Sequence, residues 1–389
     1  MTRTIPDIPL VYERFPDDYV NDINGWAFDE ETIANNVGKL LTLDIDFASR
    51  CSLNCPYCFR RDNSVDAVSH EMQFDDCIQL IKDAKKLGLR SVKFLGKGEP
   101  FETTRIIEFL RFLKEMNIIP LIFTKGHILG DDEAIKREFL YYGIKKGEDL
   151  VNELNECNAS VMLGFNAFTD EIQIDMIDKH KTSKYRNHIS KRNKALKLLV
   201  EGGFNKSNPT RLALAVNPII KGNPNSNIKV GNLHEAFEMY TWSRLRNIYA
   251  IITPPMISGR ARDGWDLFTP SEDELIDLYT NIYRFNIDVN LQTLDKIKRE
   301  GIAAYAGGHP CNQVSTGLYI TLNGVVLSCP GSEENIEGNI WDDSLENIWF
   351  KSNNFKRSGT FNCKCIAKAG KTIPDELYDR VLNNLCSNI

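Results

Sequence analysis

The sequence predicts an α/β fold built around a parallel sheet. Between about residue 40 and residue 255, six short apolar runs alternate with segments whose apolar residues recur at helical spacing. This alternation is typical of parallel strands joined by right-handed helical crossovers, and such a sheet can close partly or fully into a barrel. The 389 residues, of which 42% are hydrophobic, suffice for a large packed core.

The six predicted strands alternate with helices along this part of the chain. The strands cover residues 40–47, 91–95, 118–123, 160–165, 211–216 and 248–252. Helices are predicted at residues 74–87, 105–116, 188–199 and 233–241. The first strand leads directly into Cys51, so the first cysteines follow the carboxyl end of a strand.

The pattern changes after about residue 300. Two apolar segments, 317–322 and 325–327, flank Asn323-Gly324, a dipeptide typical of tight hairpin turns. Short helices are predicted at residues 344–350 and 374–385. We therefore divide the chain into an N-terminal extension (1–39), a barrel (40–300) and a small C-terminal α+β region (301–389).

Charge and hydropathy argue against several classes of partner. The net charge is −6, without the basic balance typical of proteins that bind nucleic acid or anionic membranes. The N-terminus carries charges and two prolines where a secretory signal needs an apolar run, and no apolar stretch is long enough to span a bilayer. We expect a cytoplasmic protein with no nucleic-acid or membrane partner.

The ten cysteines are clustered along the chain. Because the cytoplasm keeps thiols reduced, metal or redox chemistry is expected of them rather than disulfides. Seven fall into one early and one late group: Cys51, Cys55, Cys58, Cys311, Cys329, Cys363 and Cys365. Two separated groups predict two metal sites. Cys77, on an apolar helical stripe, and Cys157 are expected to be structural.

The early group places three thiolates on one short loop. An iron–sulfur cube takes four cysteine ligands, so three leave one iron open to a cofactor or substrate, as in catalytic metal sites generally. A zinc knuckle completed by a remote His or Cys is the alternative that this spacing leaves open. His127, His180 and His188 lie in polar contexts and are not expected to bind metal.

Two motifs resemble those of the radical S-adenosylmethionine (SAM) superfamily. Cys51-Ser-Leu-Asn-Cys55-Pro-Tyr57-Cys58 resembles the family's C-x-x-x-C-x-x-C signature, and it follows a first strand as in that family. Gly96-Lys97-Gly98-Glu99-Pro100 resembles its G-G-E-P motif, from which Lys97 departs. The resemblance implies a partial (β/α)6 radical SAM barrel and a [4Fe–4S] cluster on Cys51, Cys55 and Cys58. It also implies that Gly98, Glu99 and Pro100 contact SAM.

Weaker matches follow the later strands. Thr124-Lys125-Gly126 resembles the family's T-N-G turn, and Asn166 and Asn217 stand where that family contacts the cofactor. The resemblance implies that these residues and Tyr57 help to bind SAM: Tyr57, Thr124, Asn166 and Asn217. An asparagine at a strand end is also a common turn residue, so both interpretations of Asn166 and Asn217 stay open.

The late cysteines resemble the SPASM and shorter twitch extensions of the same superfamily. Cys311, Gly324 and Cys329 have the opening spacing of these extensions, and the Cys363-Lys364-Cys365 pair follows. The five cysteines from Cys311 onward fit one auxiliary [4Fe–4S] cluster, as in twitch-type enzymes, rather than two. Tetrahedral zinc is the alternative. The C-x-C spacing leaves one ligand open, with Cys386 in reserve.

The resemblance implies an enzyme that cleaves SAM reductively to a 5′-deoxyadenosyl radical, which abstracts hydrogen from a small-molecule substrate. We expect this substrate to be polar, a carbohydrate or similar, and to be oxidised or epimerised. Flavodoxin or ferredoxin is the expected electron donor. Arg260, after the sixth strand, is a candidate substrate contact, with a surface salt bridge as the alternative. Cys386 is a candidate hydrogen donor.

Two other functions stay open at this point. The first is a peptide maturase that finds its substrate without a leader-recognition domain, because only 39 residues precede the first strand. The second is a non-enzymatic iron–sulfur electron carrier or sensor. The Gly98-Glu99-Pro100 motif argues against a carrier, which has no use for a SAM site.

Overall fold

The chain folds around one sheet that contains both parallel and antiparallel strands. The computed structural model describes residues 2–62, 65, 70–178, 180, 185, 187–226, 228–262 and 264–387. The strands in these residues are β1 (Thr42–Ile45), β2 (Ser91–Phe94), β3 (Ile119–Thr124), β4 (Ser160–Gly164), β5 (Leu212–Val216), β6 (Tyr249–Ile252), β7 (Gly317–Ile320), β8 (Val325–Leu327) and β9 (Ile336–Asn339). Their order in the sheet is β6-β5-β4-β3-β2-β1-β7-β8-β9.

The first six strands are parallel and neighbour one another in chain order. Strand β7 joins the free side of β1, also in parallel, and continues through antiparallel β8 and β9. The α/β class and the parallel sheet are therefore confirmed. The hairpin predicted at Asn323-Gly324 joins β7 to β8, and Gly324 adopts the positive φ of 82° that this turn requires.

Helices connect the strands and cover the sheet. They are α1 (Glu30–Ala34), α2 (Phe74–Lys86), α3 (Ile106–Glu115), α4 (Asp132–Phe139), α5 (Gly147–Glu156), α6 (Asp170–Ile177), α7 (His188–Glu201), α8 (Leu233–Arg244), α9 (Trp265–Phe268), α10 (Glu272–Asp288), α11 (Leu294–Glu300), α12 (Gln313–Thr316), α13 (Leu345–Lys351), α14 (Asn353–Lys356) and α15 (Leu377–Cys386). Among the described residues, no helix is both long and apolar enough to cross a membrane.

Both faces of the sheet are buried. On β4, Val161 and Leu163 belong to the outer core under the helices, whereas Met162 belongs to an inner cluster. On β5, Leu214 lies outside and Ala215 inside. This alternation follows from the two-residue repeat of a strand, and two-sided burial is typical of parallel sheets covered by crossover helices.

The N-terminal segment packs against the inner face of the sheet. Ile23 and Trp26 are 1% and 3% exposed and belong to the inner cluster. Gly25 has a φ of +86°, and a Cβ atom there would lie 2.8 Å from Cγ2 of Ile119. Only glycine therefore allows this close approach. The boundaries proposed at residues 39/40 and 300/301 stay predictions.

Candidate active site

A cavity of about 180 Å³ lies at the carboxyl ends of the parallel strands. Segments that follow β1, β2, β5 and β6 line it, together with the ends of β3 and β4. Of the residues singled out in the sequence, it brings together Cys51, Cys55, Tyr57, Cys58, Gly98, Glu99, Pro100, Thr124 and Asn217. Parallel strands present their carboxyl ends at one edge, which explains why distant motifs meet here.

Arginines hold the backbone of the cysteine loop. The Arg61 guanidinium donates to the Cys51 carbonyl at 2.7 Å, and the Arg260 amide donates to the Cys58 carbonyl at 3.0 Å. The Arg260 side chain donates to Asn54 at 2.6 Å and forms an ion pair with Asp62 at 2.7 Å. Arg260 is not among the residues lining the cavity. These contacts hold the cysteine loop, and the substrate contact expected of Arg260 from the sequence stays a prediction.

A buried carboxylate ties the cysteine loop to the neighbouring elements. Asp46 is 0% exposed and forms an ion pair with Arg60 at 2.9 Å. It also accepts hydrogen bonds from the Tyr319 hydroxyl at 2.5 Å and from the amide of Lys97 at 2.5 Å. The amide of Leu322 donates to it at 3.1 Å. Asp46 therefore links the loop after β1, the loop after β2 and strand β7.

Gly98 lets the second loop reach the cysteine loop. Its φ is +86°, and a Cβ atom there would lie 2.1 Å from the Ala48 carbonyl oxygen. The next residue, Glu99, donates its amide to the Arg50 carbonyl at 2.8 Å. Only glycine combines this backbone conformation with this clearance, so Gly98 sets the position of Glu99.

The Glu99 carboxylate is buried and held from two sides. It is 2% exposed and accepts hydrogen bonds from the Thr124 hydroxyl at 2.5 Å and the Lys125 amide at 3.0 Å. Burial raises the pKa of Glu99, and the nearby His127 opposes that shift. The T-K-G turn therefore positions the acidic residue of the G-K-G-E-P loop.

Lys125 places a positive charge on the cavity wall. In the sequence, this residue is part of the T-K-G turn but has no predicted role. Its ammonium lies 3.3 Å from the Tyr57 hydroxyl and 3.3 Å from Oδ1 of Asn166. The Tyr57 hydroxyl itself donates to Asn166 at 3.0 Å. Asn166 is fully buried behind this pair rather than lining the cavity. The three side chains form a polar cluster at an otherwise largely apolar wall.

Glu102 and His127 hold the cysteine loop in place through hydrogen bonds. Glu102 accepts from the Ser52 amide at 2.9 Å and lies 3.0 Å from the His127 ring nitrogen. Burial alone would raise the pKa of Glu102, but its bonds with His127 and Ser52 lower it to about 2. This supporting role was missed in the sequence, because neither residue stands in a recognisable motif.

The late cysteines surround a second, smaller cavity of about 40 Å³, here called the late-cysteine chamber. It is lined by Cys311, Cys329, Cys363 and Cys365. Three of these thiols interact electrostatically with one another: Cys311, Cys329 and Cys365. Burial raises the pKa of Cys311 to about 11 and also raises that of Cys329. Thiols this deeply buried ionise only when a metal or another cation compensates their charge.

One layer of side chains separates the two cavities. Trp26, Leu95, Met256 and Tyr305 each line both of them. The rings of Trp26 and Tyr305 meet edge to face, with centroids 5.5 Å apart. The late-cysteine chamber is therefore the immediate neighbour of the candidate active site.

The remaining cysteines lie elsewhere. Cys77 and Cys157 are 4% and 1% exposed and belong to the outer core. Cys386 is exposed at the last residue of α15, which packs on α10, and it lines neither cavity. The structure thus places Cys386 on an ordered helix away from the site, and it gives no support to the hydrogen-donor or reserve-ligand roles.

The three early thiols provide the donor set of a cluster that leaves one iron open. Within the described part of the chain, no three His, Cys, Asp or Glu side chains are arranged to hold one metal ion. In a cubane cluster each thiolate binds a different iron, so its ligands stand further apart than around zinc. Cys51, Cys55 and Cys58 lie on one loop and line the cavity where the Gly98 loop meets it, as the ligands of such a cluster would.

Comparisons with known proteins agree with this fold. Residues 45–214 match the model of the Radical SAM superfamily. The chain is 28% identical over 117 residues to a 7,8-dihydro-6-hydroxymethylpterin dimethyltransferase of Methanocaldococcus jannaschii, covering 29% of this chain and 23% of that protein. It is 32% identical over 96 residues to a probable GTP 3′,8-cyclase of Methanosarcina acetivorans, covering 23% of this chain and 28% of that protein. The matches thus span about a quarter of the length of these relatives.

A solved structure is similar along most of the chain. The structure of hexahistidine-tagged anSMEcpe with bound AdoMet, which is SAM, aligns with a TM-score of 0.56 at 16% sequence identity. The alignment covers 89% of this chain and 96% of that one. At this identity the likeness concerns the fold.

Proposed function

Since the chain belongs to the radical SAM superfamily, we propose that Cys51, Cys55 and Cys58 bind the [4Fe–4S] cluster of a SAM-cleaving oxidoreductase. When bound, the reduced cluster supplies the electron that cleaves SAM to a 5′-deoxyadenosyl radical. The three thiols on one loop, lining the cavity beside Glu99, support this assignment.

Glu99 and Lys125 suit the two charged ends of the methionine part of SAM. The buried Glu99 carboxylate complements the cofactor's ammonium group, and the Lys125 ammonium complements its carboxylate. Thr124 orients the first of these groups, and Tyr57 with Asn166 orients the second. Opposite charges on two neighbouring strand ends therefore fix the direction in which SAM lies.

The deeper wall of the cavity is apolar and excludes water. It is formed by Trp26, Phe123, Met162, Ile251 and Tyr305. Excluding water protects a carbon radical from quenching and strengthens the polar contacts at the mouth. This lining favours a small substrate with an apolar or flat portion. Among the polar, carbohydrate-type substrates expected from the sequence, it therefore favours those that carry such a portion.

We assign the late cysteines to one auxiliary [4Fe–4S] cluster, with Cys311, Cys329 and Cys365 as ligands and Cys363 as the fourth candidate. When bound there, such a cluster accepts the electron that the substrate releases on oxidation. The observation that carries this proposal is the single side-chain layer between the cavities. We therefore propose dehydrogenation as the reaction: one hydrogen atom leaves to the deoxyadenosyl radical, then one electron passes to the late cluster and one proton to solvent.

A Cys329→Ser variant tests this function once a substrate has been identified. We expect it to cleave SAM as the wild type does while forming little product lighter by two hydrogens, measured by mass spectrometry. A Cys157→Ser variant is the control, since that cysteine is buried outside both cavities. Full product yield from Cys329→Ser would refute the electron-accepting role of the late site.

Epimerisation is the second candidate, and the phenols of Tyr57 and Tyr305 on the cavity wall favour it. An epimerase returns a hydrogen atom to the substrate radical from the opposite face, and a phenol supplies one that exchanges with solvent. Reaction in D₂O separates the two outcomes. One deuterium at an inverted carbon indicates epimerisation, whereas loss of two hydrogens without inversion indicates dehydrogenation.

A further inference from the structure

A buried cation with no acidic partner lies beside the late-cysteine chamber. Lys368 is 0% exposed, and its ammonium donates a hydrogen bond to the Thr253 hydroxyl at 2.6 Å. The same ammonium lies 5.3 Å from the ring centroid of Tyr305, which lines the chamber. Among the residues that the structure describes, no Asp or Glu carboxylate forms an ion pair with it.

The chain fixes Lys368 one turn after a late cysteine. The Lys368 and Ala369 amides both donate to the Cys365 carbonyl, at 3.1 and 2.9 Å. The Cys365, Cys329 and Cys311 thiols all act electrostatically on the Lys368 ammonium. The ammonium is therefore within electrostatic reach of three of the four late thiols.

Another buried lysine differs from Lys368 because it has an acidic partner. Lys93 is also 0% exposed, but it pairs with Asp44 at 3.4 Å and donates to Gln313 at 3.0 Å. That pair is neutral overall, whereas Lys368 adds a net positive charge to an apolar interior. An isolated buried charge is costly unless an opposite charge compensates it. The compensating charge must therefore come from the chamber.

We propose that Lys368 is a positioning cation that balances the negative charge of the late cluster and raises its reduction potential. The proposal rests on the late cluster proposed above. Reduction adds negative charge, and iron–sulfur potentials depend on net charge and solvent exposure. A buried ammonium stabilises the reduced form more than the oxidised one, because charges interact strongly away from water. The late site is thereby suited to accept an electron.

The test uses the full chain with Cys51, Cys55 and Cys58 changed to Ala, so that the late cluster is observed alone. Lys368→Met is added to this parent, with Lys371→Met as the matched control. Lys371 loses the same charge but pairs with Glu334 at the surface, where its side chain is 42% exposed. After anaerobic reconstitution, iron is counted and the midpoint potential is measured by a redox titration followed by electron paramagnetic resonance.

We expect Lys368→Met to keep its iron and to have a more negative midpoint potential, while Lys371→Met and Lys368→Arg match the parent. An unchanged midpoint in Lys368→Met overturns the proposal. If Lys368→Met loses its iron, Lys368→Gln decides: it removes the charge but keeps a donor for the Thr253 hydroxyl, and an unchanged midpoint there is equally contradictory. A parent that binds no iron refutes the late cluster itself, and with it the proposal.

Discussion

The Thr124 hydroxyl donates a hydrogen bond of 2.5 Å to the buried carboxylate of Glu99, joining the end of β3 to the loop after β2 at the cavity. If Glu99 binds the SAM ammonium, Glu99→Gln removes a charge-assisted contact of about 1.5–3 kcal/mol. SAM affinity is then expected to fall roughly tenfold to a hundredfold, measured by anaerobic calorimetry. Thr124→Val is expected to weaken binding less. Glu108→Gln, on the exposed face of α3, is the control, and unchanged affinity in Glu99→Gln would remove Glu99 from the SAM site.

Lys125→Met tests the other end of the cofactor. Because its ammonium contacts Tyr57 and Asn166 at the cavity, we expect a loss of SAM affinity of similar size, about 1.5–3 kcal/mol. S-adenosyl analogues that lack the carboxylate should bind the variant and the wild type equally. Lys136→Met, at an exposed ion pair, controls for net charge. An equal loss for SAM and for such analogues would contradict a direct contact between Lys125 and the carboxylate.

Asp46 is expected to determine the stability of the site region. Asp46→Ala leaves Arg60 buried without its carboxylate and removes the acceptor for Tyr319. Breaking a buried ion pair in this way costs about 3–5 kcal/mol of unfolding free energy, which urea denaturation measures. Asp83→Ala, which removes an exposed pair on α2, is expected to cost less than about 0.5 kcal/mol. Similar values for the two variants would show that Asp46 has no special role.

Iron content tests the two-site model. Wild-type protein is expected to hold roughly eight irons per chain after anaerobic reconstitution, and the triple variant of Cys51, Cys55 and Cys58 to Ala about half of that. Both values follow from one [4Fe–4S] cluster per cysteine group. Zinc in place of iron in the triple variant would overturn the assignment of the late site to a cluster.

The strands and the motifs that follow them could be predicted from the sequence, because each is a local pattern. All six barrel strands lie within a residue or two of their predicted bounds, and Glu99 meets the cysteine loop as its motif implies. Helices α4 and α5 were missed although each has a regular buried stripe, with Ile135 and Phe139 in α4 and Leu150 and Leu154 in α5, because they are only eight and ten residues long. The Trp26 packing was missed as well, because nothing local links an N-terminal tryptophan to the barrel interior.

Contacts between distant segments explain the other differences between the sequence predictions and the structure. Arg260 follows the sixth strand as expected, but its guanidinium forms an ion pair with Asp62 and donates to Asn54 on the cysteine loop. It does not line the cavity. Lys368, in a segment rich in lysine and glycine, has the sequence context of an exposed residue and is fully buried. Only the tertiary structure shows which lysines are solvated and which lie beside thiols.

Release of 5′-deoxyadenosine tests the central claim most directly. Reconstituted protein reduced with dithionite is expected to convert SAM to 5′-deoxyadenosine and methionine even without substrate, detected by chromatography and mass spectrometry. Cys58→Ala is expected to abolish this conversion, whereas Cys77→Ala, in the outer core, is expected to retain it. No 5′-deoxyadenosine from the wild type, or an equal yield from Cys58→Ala, would contradict the assignment of the early cysteines to a SAM-cleaving cluster.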